Sequence, residues 1–407
     1  MTVVSADFLA RYQQFPEIVA NVPGTFANDS YVSRLPGLVR DVVALNKGLL
    51  SADKLARLSQ LADDMVADKP IPLPSALPDE SRLSPTSAQW EQLLAGKGYT
   101  WHNSPWFMGE QYMFHLVLLI AGYYSTKVDP FHPSDALTDS KLAEIEDTTP
   151  WIFLENAVEV STSSPADGES AAHRRAQLER MIKLSLWGNK ADGCYKEVKD
   201  TVSGAGASLA EHDEYLLVDH SSRVIDFLER RGASDGPVKI QYINDNSGTE
   251  LLLDLALADH LLTHKWCETI TFNVKLEPMY VSDATPPDVA EHIAAMQQST
   301  RNPAVQALGR RLDEYIASGR ITVTPDVFWN RYSYYWDMPD ELRDRLAAEA
   351  TLEAFSYFPT PFVSFRTLKS DPVVGIPPDV VASLNVEDPK WRFNGVRGTI
   401  QCVLKDA

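Results

Sequence analysis

The sequence predicts an α/β fold. A mainly helical region, residues 1–225, is expected to pack on a doubly wound α/β domain over 226–407. Two observations predict this. Apolar residues recur at helical spacing through the first half, and from about residue 236 short β-rich runs alternate with helical ones. Strands that alternate with helices build a mostly parallel sheet covered on both faces. At 407 residues the chain is long enough for two domains or one large one.

The elements follow in order. Residues 38–67 carry a helical apolar pattern broken at Leu50-Ser51, with Ser51 as a cap. A Pro-rich connector occupies 70–86. Ser104-Pro105 opens an apolar helix over 106–125, a cap followed by proline at the first helical position. Helices are expected at 137–162 and 169–187, with a surface loop at 163–170. The second half then reads strand 238–244, helix 249–264, strand 268–275, helices 287–297 and 304–318, strand 320–324, helix 339–350, and strands at 361–368 and 397–404. No internal repeat is visible.

Composition narrows the function classes. The formal charge of −19 disfavours nucleic acid as a partner. It also means that an anionic small-molecule substrate must be drawn in by local cations or a metal ion. No apolar run approaches the length of a membrane span. The first residues lack a basic stretch followed by an apolar one, so a cytoplasmic location is expected. Cys194, Cys267 and Cys402 are far apart and odd in number, which fits a reducing compartment.

The most informative stretch is 238–254. A β-type run ends in Asp245-Asn246, turns at Ser247-Gly248 and opens into an apolar helix. A second strand-like run ends in Val281-Ser282-Asp283. Ligands of parallel sheets bind at the carboxyl ends of strands. Asp245, Asn246 and Asp283 would there form an oxygen-donor set suited to Mg²⁺ or Mn²⁺ rather than Zn²⁺. The helix N-terminus behind Gly248 would offer backbone N–H groups to a phosphate. The other reading of the same residues is a turn with two helix caps, and spacing alone leaves both open.

Several motifs occur in one order along the chain. They are Ser104-Pro105-Trp106 with Glu110 and Tyr112; Ser185-Leu186-Trp187-Gly188-Asn189-Lys190 with Asp192; and Asp245-Asn246-Ser247-Gly248 with Glu250 and Asp254. Lys275, Pro278 and Val281-Ser282-Asp283 follow, then Phe328-Trp329, Arg366-Thr367-Leu368-Lys369 with Val374-Gly375, and finally Trp391, Gly395, Gly398 and Gln401. In these the chain resembles the acidic-residue methyltransferase-like, damage-control phosphatase family. The resemblance implies a helical region on a Rossmann-like α/β/α domain, and a divalent metal on Asp245, Asn246 and Asp283 (Mg²⁺ or Mn²⁺, with Co²⁺ or Ni²⁺ as further candidates). It implies hydrolysis of phosphate esters of small metabolites. Asp245, Asp283 and Glu250 would then be catalytic. Lys369, Arg366, Glu110, Asn189, Asp192 and Asp254 would line the substrate. Glu250 or Asp254 would orient water or a substrate hydroxyl.

One departure bears on the reaction. The family carries a Lys-Gly-Asp-x-Asn-Tyr-Arg segment before Arg366-Thr367-Leu368-Lys369, and here Ala350 runs directly into Thr351-Leu352-Glu353-Ala354-Phe355. Removing such a phosphate clamp costs orders of magnitude in rate. Alternatives are therefore a diverged enzyme performing elimination or cyclisation on a specialised metabolite, a carboxyl methyltransferase using S-adenosylmethionine, or a non-catalytic binding protein. No Gly-rich methyl-donor loop is visible.

Other residues weigh less. His260 and His264 have zinc-compatible spacing without an evident third ligand, and read as structural. Trp101, Trp106, Tyr112, Phe114, Tyr123 and Tyr124 read mainly as core. Phe328-Trp329-Asn330-Arg331-Tyr332 should lie near the rim of the site, as a wall or as simple packing. Ser203–Ser208 lacks the lysine and preceding strand of a nucleotide loop.

Overall fold

The computed structural model describes residues 17–132, 149–163, 171–188, 216–234, 238–333, 337–348, 350–353 and 398–400. Its longer helices in the first half are α1 (Leu35–Leu45), α2 (Ala52–Val66), α3 (Ser87–Leu94), α4 (Trp106–Ala121), α5 (Thr149–Thr162) and α6 (Ala171–Gly188). Then follow β1 (Leu216–Asp219), α7 (Ser221–Ser234), β2 (Lys239–Ile243), α8 (Thr249–Thr263), β3 (Thr269–Lys275), α9 (Pro286–Gln298) and α10 (Pro303–Ala317). The described chain closes with β4 (Ile321–Asp326), α11 (Asp340–Ala348), β5 (Ala350–Glu353) and β6 (Gly398–Ile400).

Two helices are central because neither has a solvated face: they are mostly apolar, and the polar residues Glu110, Gln111 and His115 in α4 and Glu250, Asp254, Asp259 and His260 in α8 are buried too. In α4 and α8 nearly every side chain is buried, as expected of helices that are apolar all round. Leu251, Leu252, Leu253, Leu255, Leu257, Leu261 and Leu262 of α8 are all buried. Each such leucine contributes roughly 1.5–3 kcal/mol relative to exposure. α4 ends at Gly122, whose φ of 81° places it in the left-handed region that favours glycine. A separate turn, Tyr123–Thr126, follows, so the helix expected over 106–125 is interrupted.

The main sheet has four parallel strands in the order β4-β3-β2-β5. The chain moves outward from β2 to β3 to β4, then returns to lay β5 on the other side of β2. The winding therefore reverses between β2 and β5, which opens a crevice at their carboxyl ends. Ile240 and Tyr242 of β2 and Ile270, Phe272 and Val274 of β3 join one core with α5, α6, α8, α9 and α10. Successive strand residues point to opposite faces. On the other face Ile243 packs beside Leu342 and Leu346 of α11, and Arg345 of α11 donates to Asn273 Oδ1 at 3.0 Å. A second core surrounds α4 and takes in residues 20–131 together with Met279.

Three elements differ from expectation. The segment ending in Val281-Ser282-Asp283 is no strand: β3 stops at Lys275 and residues 276–284 fold back as a turn. Its Met279-Tyr280-Val281 composition is β-like, but Pro278 lacks an N–H and Tyr280 and Val281 have φ of 50° and 69°. Residue 350, expected as a helix end, begins β5. The first half contributes one strand, β1, paired in parallel with β6. The strand expected at 361–368 lies outside the described residues.

Candidate active site

The site is assembled at the carboxyl ends of β2 and β3. Asn246 and Asp283 form an isolated antiparallel bridge. Around it, Ala284 N–H donates to Asp245 O at 2.6 Å and Ser247 N–H to Ser282 O at 2.6 Å. Asp245, Asn246 and Asp283 are thus brought to one place by backbone pairing, although Asp283 arrives on a returning turn. The turn is strained. Val281 is β-branched with positive φ, an uncommon conformation that persists only when its surroundings over-determine it.

The side chains are fixed as closely as the backbone. Asn246 Nδ2 donates to Glu250 Oε2 at 3.0 Å, and Ser282 Oγ donates to Asn246 Oδ1 at 2.6 Å. The amide is oriented from both ends. Asp283 Oδ2 pairs with Lys275 Nζ at 3.3 Å, and the same ammonium donates to Trp329 O at 2.6 Å. Lys275, read from sequence only as part of a motif, is therefore the immediate counter-charge of Asp283.

The turn ahead of the helix already uses its own amides. Asn246 N–H points at Glu250 Oε2 at 3.4 Å, Ser247 N–H is bound to Ser282, and Gly248 N–H donates to His292 Nε2 at 2.8 Å. All three amides before α8 have protein acceptors. His292 Nδ1 lies 2.7 Å from the Asp288 carbonyl. Since Nε2 accepts, Nδ1 carries the proton and donates. This histidine was invisible in the sequence, because its partner is a backbone amide rather than a motif.

Asp254 lies one turn further along α8 and is fully buried. Ser185 Oγ donates to its Oδ1 at 2.5 Å and Asn244 Nδ2 to its Oδ2 at 3.2 Å. Burial pushes its carboxyl up to about 7, opposed by the Ser185 and Asn244 hydrogen bonds and helped a little by the Asp245 charge. Gly188, at the end of α6, lies against the first turn of α8, where an added Cβ would come within 2.8 Å of Glu250 Cα. That contact and the Ser185–Asp254 bond carry the Ser185–Gly188 motif to the site. Asn189 and Asp192 lie outside the described residues, as do Arg366 and Lys369.

Glu110 sits in α4, buried, and pairs with Arg34 Nη2 at 2.6 Å. Tyr31 Oη donates to Trp106 O at 2.7 Å and Trp106 Nε1 to Ser30 Oγ at 3.1 Å, which ties the Ser104-Pro105-Trp106 motif to the turn carrying Arg34. The loop 276–284 bridges to this region through the Phe114–Tyr280 ring contact at 4.9 Å. The rings of His260 and His264 meet tilted at 4.2 Å, with His260 Nδ1 3.0 Å from Ser161 Oγ.

Among the described residues no group of three or more His, Cys, Asp or Glu is arranged to hold a metal ion. The set at β2 contains two carboxylates and one amide oxygen. These are hard donors, and an ion held by so few protein ligands keeps positions for water and substrate. No described helix is long and apolar enough to cross a membrane.

Comparison with known proteins places the chain in a family. The damage-control phosphatase ARMT1-like domain matches residues 51–384. The chain is 24% identical to damage-control phosphatase ARMT1 of Danio rerio over 94% of its own length and 95% of that protein. It is 27% identical to the protein of the same name from Bos taurus over 87% and 88%, and 24% identical to that from Homo sapiens over 85% and 86%. The chain belongs to the damage-control phosphatase ARMT1-like family and is an enzyme of phosphatase-like hydrolase type.

Proposed function

We propose that the protein is a metal-dependent hydrolase of a small phosphorylated metabolite. The observation that carries this is the Asn246–Asp283 bridge, which gathers two carboxylates and an amide oxygen at the switch point of a parallel sheet. Asp245, Asn246 and Asp283 would hold Mg²⁺ or Mn²⁺. When bound, such an ion would neutralise charge on a phosphoryl oxygen and generate a nucleophile from water.

The chain's own residues support that chemistry by positioning. Glu250 and Ser282 hold the Asn246 amide with its oxygen in a fixed direction. Lys275 balances Asp283. Asp254, buried and bonded to Ser185 and Asn244, is assigned a positioning role beneath the turn rather than substrate contact. Glu110 and Arg34 would border the substrate from the helical side. Asn189, Asp192, Arg366 and Lys369 complete the proposed pocket by their places in the family motifs.

A second reading, non-phosphatase chemistry on the same scaffold, is favoured by the register of β5. Glu353 pairs with Ile243, so the chain leaves β5 at the same edge as Asp245, where the sequence lacks the family's clamp segment. A phosphatase screen with Mn²⁺, Co²⁺ or Ni²⁺ added separates the two. Hydrolysis by wild type and its loss in Asp245→Ala are expected. Absence of hydrolysis in wild type, with metal binding intact by calorimetry, would favour the second reading.

A further inference from the structure

We propose that Arg331 is the anion-binding residue of this site, the guanidinium that receives the substrate's phosphoryl group. The proposal rests on the reading of the site as one for phosphorylated metabolites. Asp245, Glu250, Asp283 and Glu110 make the surroundings acidic, within a chain of charge −19. A phosphoryl dianion entering there needs a cation that is not already neutralised.

The described cations differ sharply in what they already hold. Lys275 is engaged by Asp283 and the Trp329 carbonyl. Arg34 Nη2 is engaged by Glu110 and Ser30, so its charge is already paired, although its Nη1 is, like Arg331 Nε, a buried donor with no acceptor among the described residues. Arg345 bonds to Asn273 on the face of the sheet under α11. Arg331 Nε, by contrast, is buried and has no hydrogen-bond partner among the described residues. A buried donor without an acceptor is costly, and a phosphoryl oxygen is an acceptor of the right charge.

Its position suits the role. Arg331 follows the turn Val327–Asn330 at the carboxyl end of β4. Two residues before it, the Trp329 carbonyl takes Lys275, the partner of Asp283. Asn330 Oδ1 accepts from the amides of Leu276 and Glu277 at 2.8 and 3.2 Å, the start of the loop that leads to Asp283. On the other side, the Tyr332 carbonyl accepts from Gln89 Nε2 at 3.2 Å, and its ring lies 6.1 Å from that of Phe107. The backbone of Arg331 is therefore held at both ends, between the carboxyl edge of the sheet and the helical region. A guanidinium carried on a backbone held in this way offers a planar fork that matches phosphate oxygens in pairs.

The test is calorimetric binding of inorganic phosphate to the Mn²⁺-loaded protein, in wild type, Arg331→Gln and Arg331→Lys. The glutamine variant should lose roughly 10- to 100-fold in phosphate affinity, the range for one hydrogen bond to a charged group. The lysine variant, which keeps the charge and loses the fork, should lose less. Melting temperature without phosphate should not fall, because no hydrogen bond from the side chain to a described residue is removed, whereas a structural role would lower it. Unchanged affinity in both variants, or no phosphate binding by wild type, would overturn the proposal. If Arg331→Gln does not fold, Arg331→Lys decides alone: a several-fold loss supports the assignment and equal affinity removes it. Turnover of p-nitrophenyl phosphate by wild type is measured separately. Arg331-dependent phosphate binding without turnover would count against the hydrolase reading and leave the anion site standing.

Discussion

Gly248 donates its backbone N–H to His292 Nε2 at 2.8 Å, and the other ring nitrogen of His292 is 2.7 Å from the Asp288 carbonyl. One side chain of α9 thereby joins the turn that carries Asn246 to the segment that follows Asp283. Asp288 also receives the Thr285 amide at 2.8 Å, which caps the start of α9. His292→Leu removes the acceptor and frees the turn. The expected result is faster hydrogen exchange at the Gly248 amide and a drop of roughly tenfold or more in Mn²⁺ affinity, the usual scale for groups that orient metal ligands. His292→Gln can place an amide oxygen near the same N–H and should recover most of both. Equal exchange in wild type and His292→Leu would show that the bond does not hold the turn.

Gly188 makes a second long-range contact that depends on one atom. A Cβ there would lie 2.8 Å from Glu250 Cα and 3.3 Å from Leu253 Cδ1. The nearer contact is backbone, so no side chain can rotate away, and α6 must shift from α8. Gly188→Ala is expected to cost about 1–3 kcal/mol of stability and to displace Glu250, which holds Asn246. Chemical denaturation checks the first effect and metal affinity the second.

Much of this was legible in the sequence, and the exceptions share a cause. α4 and α8 could be read because runs such as Leu251–Leu257, interrupted only by Asp254, are apolar nearly all round. β2 and β3 could be read from β-branched and aromatic residues ahead of Asp245 and Lys275. The motif order located Asp245, Asn246 and Asp283 at one place, and the backbone bridge joins two of them. What could not be read was set by distant partners. β5 is a strand because Ala350–Glu353 finds β2, a preference of context more than of composition. Lys275 and His292 matter through a carboxylate and an amide brought near only by the fold.

Lys275 and Asp283 form an ion pair that is largely buried on both sides. Lys275→Met removes the ammonium that pairs with the Asp283 carboxylate, and breaking such a pair costs about 3–5 kcal/mol. A bound divalent ion would restore the missing charge. Saturating Mn²⁺ should therefore raise the melting temperature of Lys275→Met by more than that of wild type. An equal increment in the two proteins, read by calorimetric scanning, would separate Asp283 from the metal site.

Asp254 gives a pH signature. Burial raises its carboxyl from 3.8 to about 7. A raised folded-state value means that the native protein binds the proton more tightly than the unfolded chain. The stabilisation is complete below about pH 4 and is lost as pH rises through about 7. The geometry is compatible with a proton there, because Asn244 Oδ1 is buried without a hydrogen-bond partner among the described residues. A protonated Asp254 could donate to it after an amide flip, and so could asparagine. Asp254→Asn should keep the Ser185 and Asn244 contacts while removing the titration. Between pH 4 and pH 7 the stability of wild type should fall relative to the variant with a slope of up to about 1.4 kcal/mol per pH unit. Above pH 7 the two curves should run parallel, with Asp254→Asn at its greatest advantage. Denaturation at a series of pH values measures this directly, and parallel curves throughout would mean that Asp254 is ionised in the native protein across the whole range.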